Sequence, residues 1–188
     1  MFVRSTEPRV VIFVMSDRID ETLCYSVGSA HLSGLPVVVA GYRMPYRGFL
    51  SKFEFMVRAI ENAGLSEEDV IIVLDSDTIF TGVGINPFLD RFIAESPATP
   101  GELDALAVRQ GRAMAPFVAT GEIACFAPNV FDNFTMCRPG FKDLYTKVRK
   151  YAAAHPEHNI LLPSNLSPQH HLNSGSVIAR AWAYKEFL

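Results

Sequence analysis

The chain has little cysteine, little surplus charge of either sign and no long apolar run. Its three cysteines in 188 residues, Cys24, Cys125 and Cys137, have neither the spacing of a zinc site nor a redox Cys-x-x-Cys. They read as small apolar residues. No stretch of about 18 apolar residues occurs, so no segment is expected to span a membrane as a helix. Met1 to Glu7 lacks the apolar region of a signal peptide. A formal net charge of −3 argues against a nucleic-acid partner, which would be bound through phosphate neutralisation. Gly-rich phosphate cradles and basic clusters are missing too, so an anionic ligand would need a metal ion to bring it in. Repeats, heptads and low-complexity tracts are also lacking. Asn133-Phe134-Thr135 and Asn165-Leu166-Ser167 match the N-glycosylation pattern. Such tripeptides also arise by chance, so they leave the compartment open while favouring the lumen of the secretory pathway (ER or Golgi) over the cytoplasm.

What is present fits one α/β domain over residues 1–188. A hydrophobic content of 49% and a charged content of 20% are those of a globular protein. At this length about 70% of the unfolded surface can be buried. The most informative stretch is Val70-Ile71-Ile72-Val73-Leu74, which runs into Asp75-Ser76-Asp77 and then Thr78-Ile79-Phe80. A β-branched apolar run reads as a strand buried on both faces. Two carboxylates at its carboxyl end stand where open α/β sheets place their ligands. A divalent cation, Mn²⁺ or Mg²⁺, suits two such acids and adds substrate phosphates to them. The plainer reading is a polar turn in which Asp75 or Asp77 caps the next segment.

The rest of the chain supplies a β-α-β-α-β order. Val10 to Val14 is a first strand ending at Ser16-Asp17, and Asp20-Glu21-Thr22 starts a helix with Leu23, Val27 and His31 spaced along one face. Gly34 and Pro36 stop it before a strand at Val37 to Ala40. Gly41 to Gly48 is a loop. Phe49, Phe53, Met56, Val57 and Ile60 recur at helical spacing until Gly64. The alternation predicts a doubly wound, mostly parallel sheet flanked by helices, with Val70 to Leu74 central and Val10 to Val14 near it. Asn86-Pro87 opens a further helix, with Asn86 as cap and Phe88, Leu89, Phe92 and Ile93 buried. Short strands are expected at Ala105 to Val108 and Ile123 to Phe126, a helix from Pro139 to Ala154, a loop to Gln169, and a strand from Leu172. Ala181 to Leu188 reads as the opening of an amphipathic helix.

Asp75-Ser76-Asp77-Thr78 admits two chemistries. The aspartates can hold a divalent ion that clamps the diphosphate of a nucleotide-sugar. Alternatively Asp75 is a phosphoryl-accepting nucleophile with Asp77 as acid/base, as in haloacid-dehalogenase-like phosphatases. Those proteins carry the pair on their first strand, whereas here two βα units precede it.

Taken with Lys52 ahead of it and two motifs behind it, the segment resembles the glycosyltransferase domain of the procollagen lysyl hydroxylase and collagen galactosyltransferase group. Ala119-Thr120-Gly121-Glu122 resembles that family's strand ending in Ser-Ala-Glu. His171-Leu172-Asn173-Ser174-Gly175-Ser176-Val177-Ile178 resembles its Leu-Asn-Ser-Gly-Gly-Phe-Ile. The similarity covers most of Val10 to Trp182, with three motifs in order.

The resemblance implies a Rossmann-like GT-A nucleotide-diphospho-sugar transferase fold and transfer from a UDP-sugar donor to a hydroxyl acceptor on protein or glycan. It implies that Asp75 and Asp77 bracket the metal and that Ser76 lies with them in the donor site. Ser16 falls at a position that contacts the nucleotide base or ribose, and Lys52 at a basic residue near the donor. Glu122 would face the sugar or acceptor, and Asn173 would hydrogen-bond sugar hydroxyls. The plain alternatives are a solvated helix residue for Lys52, a salt-bridged strand-edge acid for Glu122 and a turn for Asn173-Ser174-Gly175.

The relatives often have one more residue between their acids, which leaves Asp77 the main ligand and Asp75 assisting. Their Asp-Asp segment and late His, a third metal ligand, would follow the Trp182 helix. The chain is therefore expected to be the donor-binding part of a protein truncated at its C-terminal end. Of His170 and His171, adjacent in the chain, at most one would reach a metal, and both are expected in a loop. A non-catalytic nucleotide-sugar-binding module is the alternative outside the enzymes.

Overall fold

Val10-Val11-Ile12-Phe13-Val14-Met15 carries no polar side chain, and it forms β1 (Val10–Met15), buried at every residue. The computed structural model describes residues 8–48, 50–103, 105, 114–122, 134–158 and 171–187. After β1 come α1 (Glu21–Leu32), β2 (Val37–Ala40), α2 (Leu50–Asn62), β3 (Val70–Asp75) and α3 (Asn86–Glu95). Then follow β4 (Phe117–Glu122), α4 (Phe134–Ala154), β5 (His171–Arg180) and α5 (Ala181–Phe187). No helix among the described residues is long and apolar enough to cross a membrane.

The protein is α/β, with a five-stranded mixed sheet in the order β2-β1-β3-β5-β4. β3 is the central strand and β1 its neighbour, as the apolar runs predict. β1 is parallel to β2 and to β3, in a register that sets Val10 beside Val70 and Met15 beside Asp75. β5 runs antiparallel to β3, with Leu74 opposite Ser176. The expected mostly parallel sheet is thus corrected to a mixed one. An apolar run has no arrow: Val177 and Ala179 are buried whichever way β5 runs, and only the connection decides its direction.

Alternation along the strands divides the core in two. Val11, Phe13, Ile71 and Val73 pack with Phe55, Met56 and Ile60 of α2 and with Tyr184 of α5. Val10 and Val70 pack with Leu89 and Phe92 of α3. Helices on both faces explain why β1 has no polar position at all.

The amino end of β3 is pinned. Asp69, fully buried, accepts from Arg9 N at 2.9 Å and Arg9 Nε at 2.8 Å. It also accepts from Ser66 N at 2.8 Å and pairs with Arg9 Nη2. Nearby, the buried Arg180 guanidinium donates to Ser96 Oγ at 2.9 Å and to the carbonyls of Glu68, Ile93 and Ser96. One cation thereby ties the end of α3 to β5.

Several local expectations change. α1 buries Leu23, Ser26 and Ala30, and His31 is exposed; small residues let this face approach the sheet, where the predicted spacing followed bulk. In α2 Phe55 is buried and Phe53 only partly so. Asn86 does not cap α3: it is the first helical residue, and Ile85 takes the cap position without a side-chain bond. Phe88 is about half exposed, since only Leu89 and Phe92 of α3 reach full burial. Ala105, expected in a strand, is helical, while 106–108 and the expected strand at 123–126 lie outside the described residues. The described strand of that region is β4, Phe117–Glu122. α4 begins earlier than predicted and takes Pro139 inside it. His171 opens β5 rather than lying in a loop, and His170 is outside the described residues.

The chain separates into two compact units, Met1–Ala119 with Ser174–Leu188, and Thr120–Asn173. The first contains β1, β2 and β3 with α1, α2, α3 and α5. The second contains α4, the end of β4 and the start of β5.

Candidate functional site

Parallel pairing of β1 with β3 brings two strand ends together on one side of the sheet. Met15 stands beside Asp75, so Ser16-Asp17 and Ser76-Asp77 leave the sheet as neighbouring turns. A cleft of about 390 Å³ opens there in the first unit, lined by Ser16, Lys52, Asp75, Ser76 and Asp77 among others. Five of the seven site residues chosen from the sequence thus meet in one cavity, at the carboxyl ends of the strands, where α/β sheets bind ligands.

Each is positioned by its element. Ser16 is buried and donates from Oγ to the Arg18 carbonyl at 2.7 Å. Its backbone N–H donates to Ala40 O at 3.0 Å, closing the end of β2 onto β1. α2 starts where Ser51 Oγ accepts from Arg47 N at 2.8 Å, which sets Lys52 in the first turn. From there Lys52 Nζ donates to Asp75 Oδ1 at 2.5 Å, with the two side chains 18% and 34% exposed. Phe55, one turn on, also lines the cleft and lies directly under Gly41. Gly41 has φ +91°, and a Cβ there would overlap the Phe55 ring.

Asp75 has a second oxygen, Oδ2, with no hydrogen-bond donor among the described residues. Asp77 is exposed, and among the described residues no hydrogen bond or ion pair engages it. The Thr78 N–H donates to Asp75 O at 3.1 Å, which turns the chain after the strand. Beyond that turn the segment leans on hydroxyls of α1. Thr22 Oγ1 lies 3.4 Å from Ser76 Oγ, Ser29 Oγ accepts from Phe80 N at 3.0 Å, and Ser33 Oγ donates to Phe80 O at 3.5 Å.

Residues not chosen from the sequence complete the cleft: Asp17, Arg18, Asp20, Thr22 and Tyr46. Asp20 caps α1, accepting from Leu23 N at 2.9 Å and Thr22 Oγ1 at 2.7 Å. The Leu23 backbone bond, with Thr22 and Arg18 helping, holds its carboxyl below the usual range. Arg18 sits loosely between Asp20 and Asp17, at 3.7 and 4.0 Å. Asp17 had a signal in the sequence, since it follows β1 as Asp77 follows β3. Tyr46 had only its membership of the Gly41–Gly48 loop. Four carboxylates and two cations therefore line the cavity, an acidic balance that favours a cationic ligand. Burial, and secondarily the charge of Asp75, push the Tyr184 phenol behind the site up to about 12.

Asp75 and Asp77 are the candidate cation ligands. Among the described residues no group of three or more His, Cys, Asp or Glu forms a closed cage. An ion held here would take its other ligands from phosphate oxygens and water, the habit of Mg²⁺-like ions. Glu122 and Asn173 lie in the second unit, Glu122 as the last residue of β4 and Asn173, half-buried, in β5. Compared with protein-family models and with curated proteins, the chain matches none.

Proposed function

We propose that the cleft binds a UDP-sugar together with Mn²⁺ or Mg²⁺, and that the protein is a metal-dependent glycosyltransferase acting on a hydroxyl of a protein or glycan. The observation that carries this reading is the meeting of Ser16, Lys52, Asp75, Ser76 and Asp77 in one cavity at the ends of β1 and β3. Asp77 is the main ligand for the ion and Asp75 assists through the oxygen that Lys52 leaves open. When bound, the ion neutralises charge developing on the departing diphosphate.

The chain's own groups do the rest. Ser16 and the turn after β1 face the nucleoside. Lys52 brings a compact positive charge within reach of phosphate. Ser76 fixes the turn between the two acids through Thr22. The family resemblance assigns Glu122 and Asn173 to the sugar and its acceptor, contacts that would matter most as the glycosidic bond breaks.

Titration calorimetry with UDP, with and without Mn²⁺, on wild type and Asp77→Ala tests the clamp. Tight binding is expected only for wild type with Mn²⁺, and equal affinity in all four cases would refute it. Assay with an aryl phosphate and Mg²⁺ separates the phosphatase chemistry: no turnover is expected. Phosphatase activity abolished by Asp75→Asn would replace the transferase by a nucleophilic aspartate. UDP-sugar binding without hydrolysis or transfer to any hydroxyl would leave a binding module.

A further inference from the structure

The proposed donor site already holds a cation of its own. Lys52 Nζ and Asp75 Oδ1 are 2.5 Å apart, a charge-assisted contact between side chains only partly open to water. A divalent ion approaching Asp75 meets this ammonium at close range, and in a cleft of reduced dielectric the two cations repel more strongly than in water. The lysine and the ion are thus rivals for one carboxylate. A diphosphate entering the same cavity changes the balance, because it offers the ammonium an anion other than Asp75.

Two features make an exchange a side-chain event. Lys52 stands in the first turn of α2, whose Phe55 is seated under Gly41; the ammonium moves by rotation of its four-carbon stem. Asp75 is the last residue of β3, registered against Met15, so its carboxylate stays where it is. Lysine also suits the task, since its ammonium is a point charge that changes partners without the fixed fork of a guanidinium.

We propose that Lys52 is an exchangeable counter-ion coupling the cation and diphosphate subsites. It neutralises Asp75 in the empty cleft, opposes a divalent ion arriving alone, and passes to the diphosphate when ion and nucleotide enter together. This rests on the donor-site reading above. By linkage, the factor by which UDP tightens Mn²⁺ equals the factor by which Mn²⁺ tightens UDP. Lys52 sets a large part of that factor.

The experiment measures free Mn²⁺ by electron paramagnetic resonance against wild type, Lys52→Met and Lys52→Arg, each with and without UDP. Lys52→Met keeps the stem and removes the charge. It should bind Mn²⁺ alone about tenfold more tightly, and its coupling factor should fall by about tenfold (~1.4 kcal/mol). Lys52→Arg should retain coupling. In wild type, acetylation of Lys52 followed by mass spectrometry should accelerate with Mn²⁺ alone and slow with Mn²⁺ and UDP together. An unchanged coupling factor in Lys52→Met, with Mn²⁺–UDP still bound, overturns the exchange and leaves the donor site standing. Metal-independent UDP binding that is lost in Lys52→Met also overturns it, by making the lysine the permanent phosphate cation. Wild type that binds neither Mn²⁺ nor UDP sinks the donor-site reading itself, and the exchange with it. Where Lys52→Met does not fold, acetylation decides: Lys52 reactivity unmoved by Mn²⁺ overturns the proposal.

Discussion

Asp69 and Asp75 bracket the same strand, and each is paired with a cation from elsewhere in the chain. The surroundings differ in every other respect. Asp69 has no exposure, and both of its oxygens are used by Arg9 and Ser66. Asp75 is a third exposed, meets a lysine, and among the described residues keeps an oxygen open beside an Asp77 that no hydrogen bond or ion pair engages. At the amino end a planar guanidinium, reaching one Asp69 oxygen through both Nε and Nη2, makes the pair part of the framework. At the carboxyl end a flexible ammonium makes it replaceable. One strand thus carries a buried anchor at one end and a partly solvated carboxylate at the other. The sheet's architecture says which end is which, because ligands gather at carboxyl ends.

That contrast can be broken most directly by unfolding. Asp69→Ala takes the carboxylate from Arg9 and the acceptor from two backbone N–H donors, and the loss of a buried pair's partner costs about 3–5 kcal/mol. Asp75→Ala, at a solvated and singly bonded position, should cost under about 1 kcal/mol. Urea denaturation of both variants measures the difference, and similar losses would dissolve the distinction. Next in size is Asp77→Ala. Its Mn²⁺-dependent UDP affinity should fall at least tenfold, a factor of about ten being typical even for residues that only support a ligand. Its urea midpoint should stay at the wild-type value, so a displaced midpoint would give Asp77 a structural part.

Ser29→Ala sharpens the picture of the carboxyl end. It removes the acceptor for Phe80 N and should cost about 1 kcal/mol, with faster amide exchange at Phe80 as the local readout. No change at Phe80 would mean that the segment after Asp77 is held by something else. The smallest effect is a slope. Burial pushes the Asp69 carboxyl up, but the bonds from Arg9 and Ser66 outweigh it and hold the group below its ordinary value. A lowered folded value stabilises fully above the unfolded pKa of about 3.9 and is lost as pH falls through the folded value. Asp69→Asn lacks this loss, so its midpoint should decline less steeply than wild type below about pH 4. Parallel acid limbs in the two proteins would remove the Asp69 pair from acid sensitivity.

How far the sequence reveals this molecule depends on whether a property is local. Val10 to Met15 and Val70 to Leu74 announce buried strands because burial on both faces permits nothing polar. Asp20 announces α1 by capping it. The direction of β5 is not local, since it depends on the connection before it. Nor is the face of α2, because Phe55 rather than Phe53 is selected by the space under Gly41. The same divide runs through the site. Asp75 and Asp77 are legible as carboxylates leaving a strand end, and Ser16 and Lys52 through a family resemblance. The attachment of Lys52 to Asp75 is not, because it joins side chains distant in sequence through the packing of a helix on a sheet. Tyr46 stays hidden for a related reason: a loop's composition does not say which wall it will form.

Gly41 gives the site an adjustment screw with no chemistry of its own. It carries no functional group, yet its missing side chain decides how closely α2 can lie on the sheet, and Phe55 and Lys52 ride on the same helix one turn apart. Alanine at this position must displace the Phe55 ring or bend the turn, and its positive φ is strained for any residue with a Cβ. Either response changes the span that the lysine stem has to bridge. Tuning of the proposed site can therefore be sought in a residue that carries none of its charged groups. A survey confined to charged positions would pass over it.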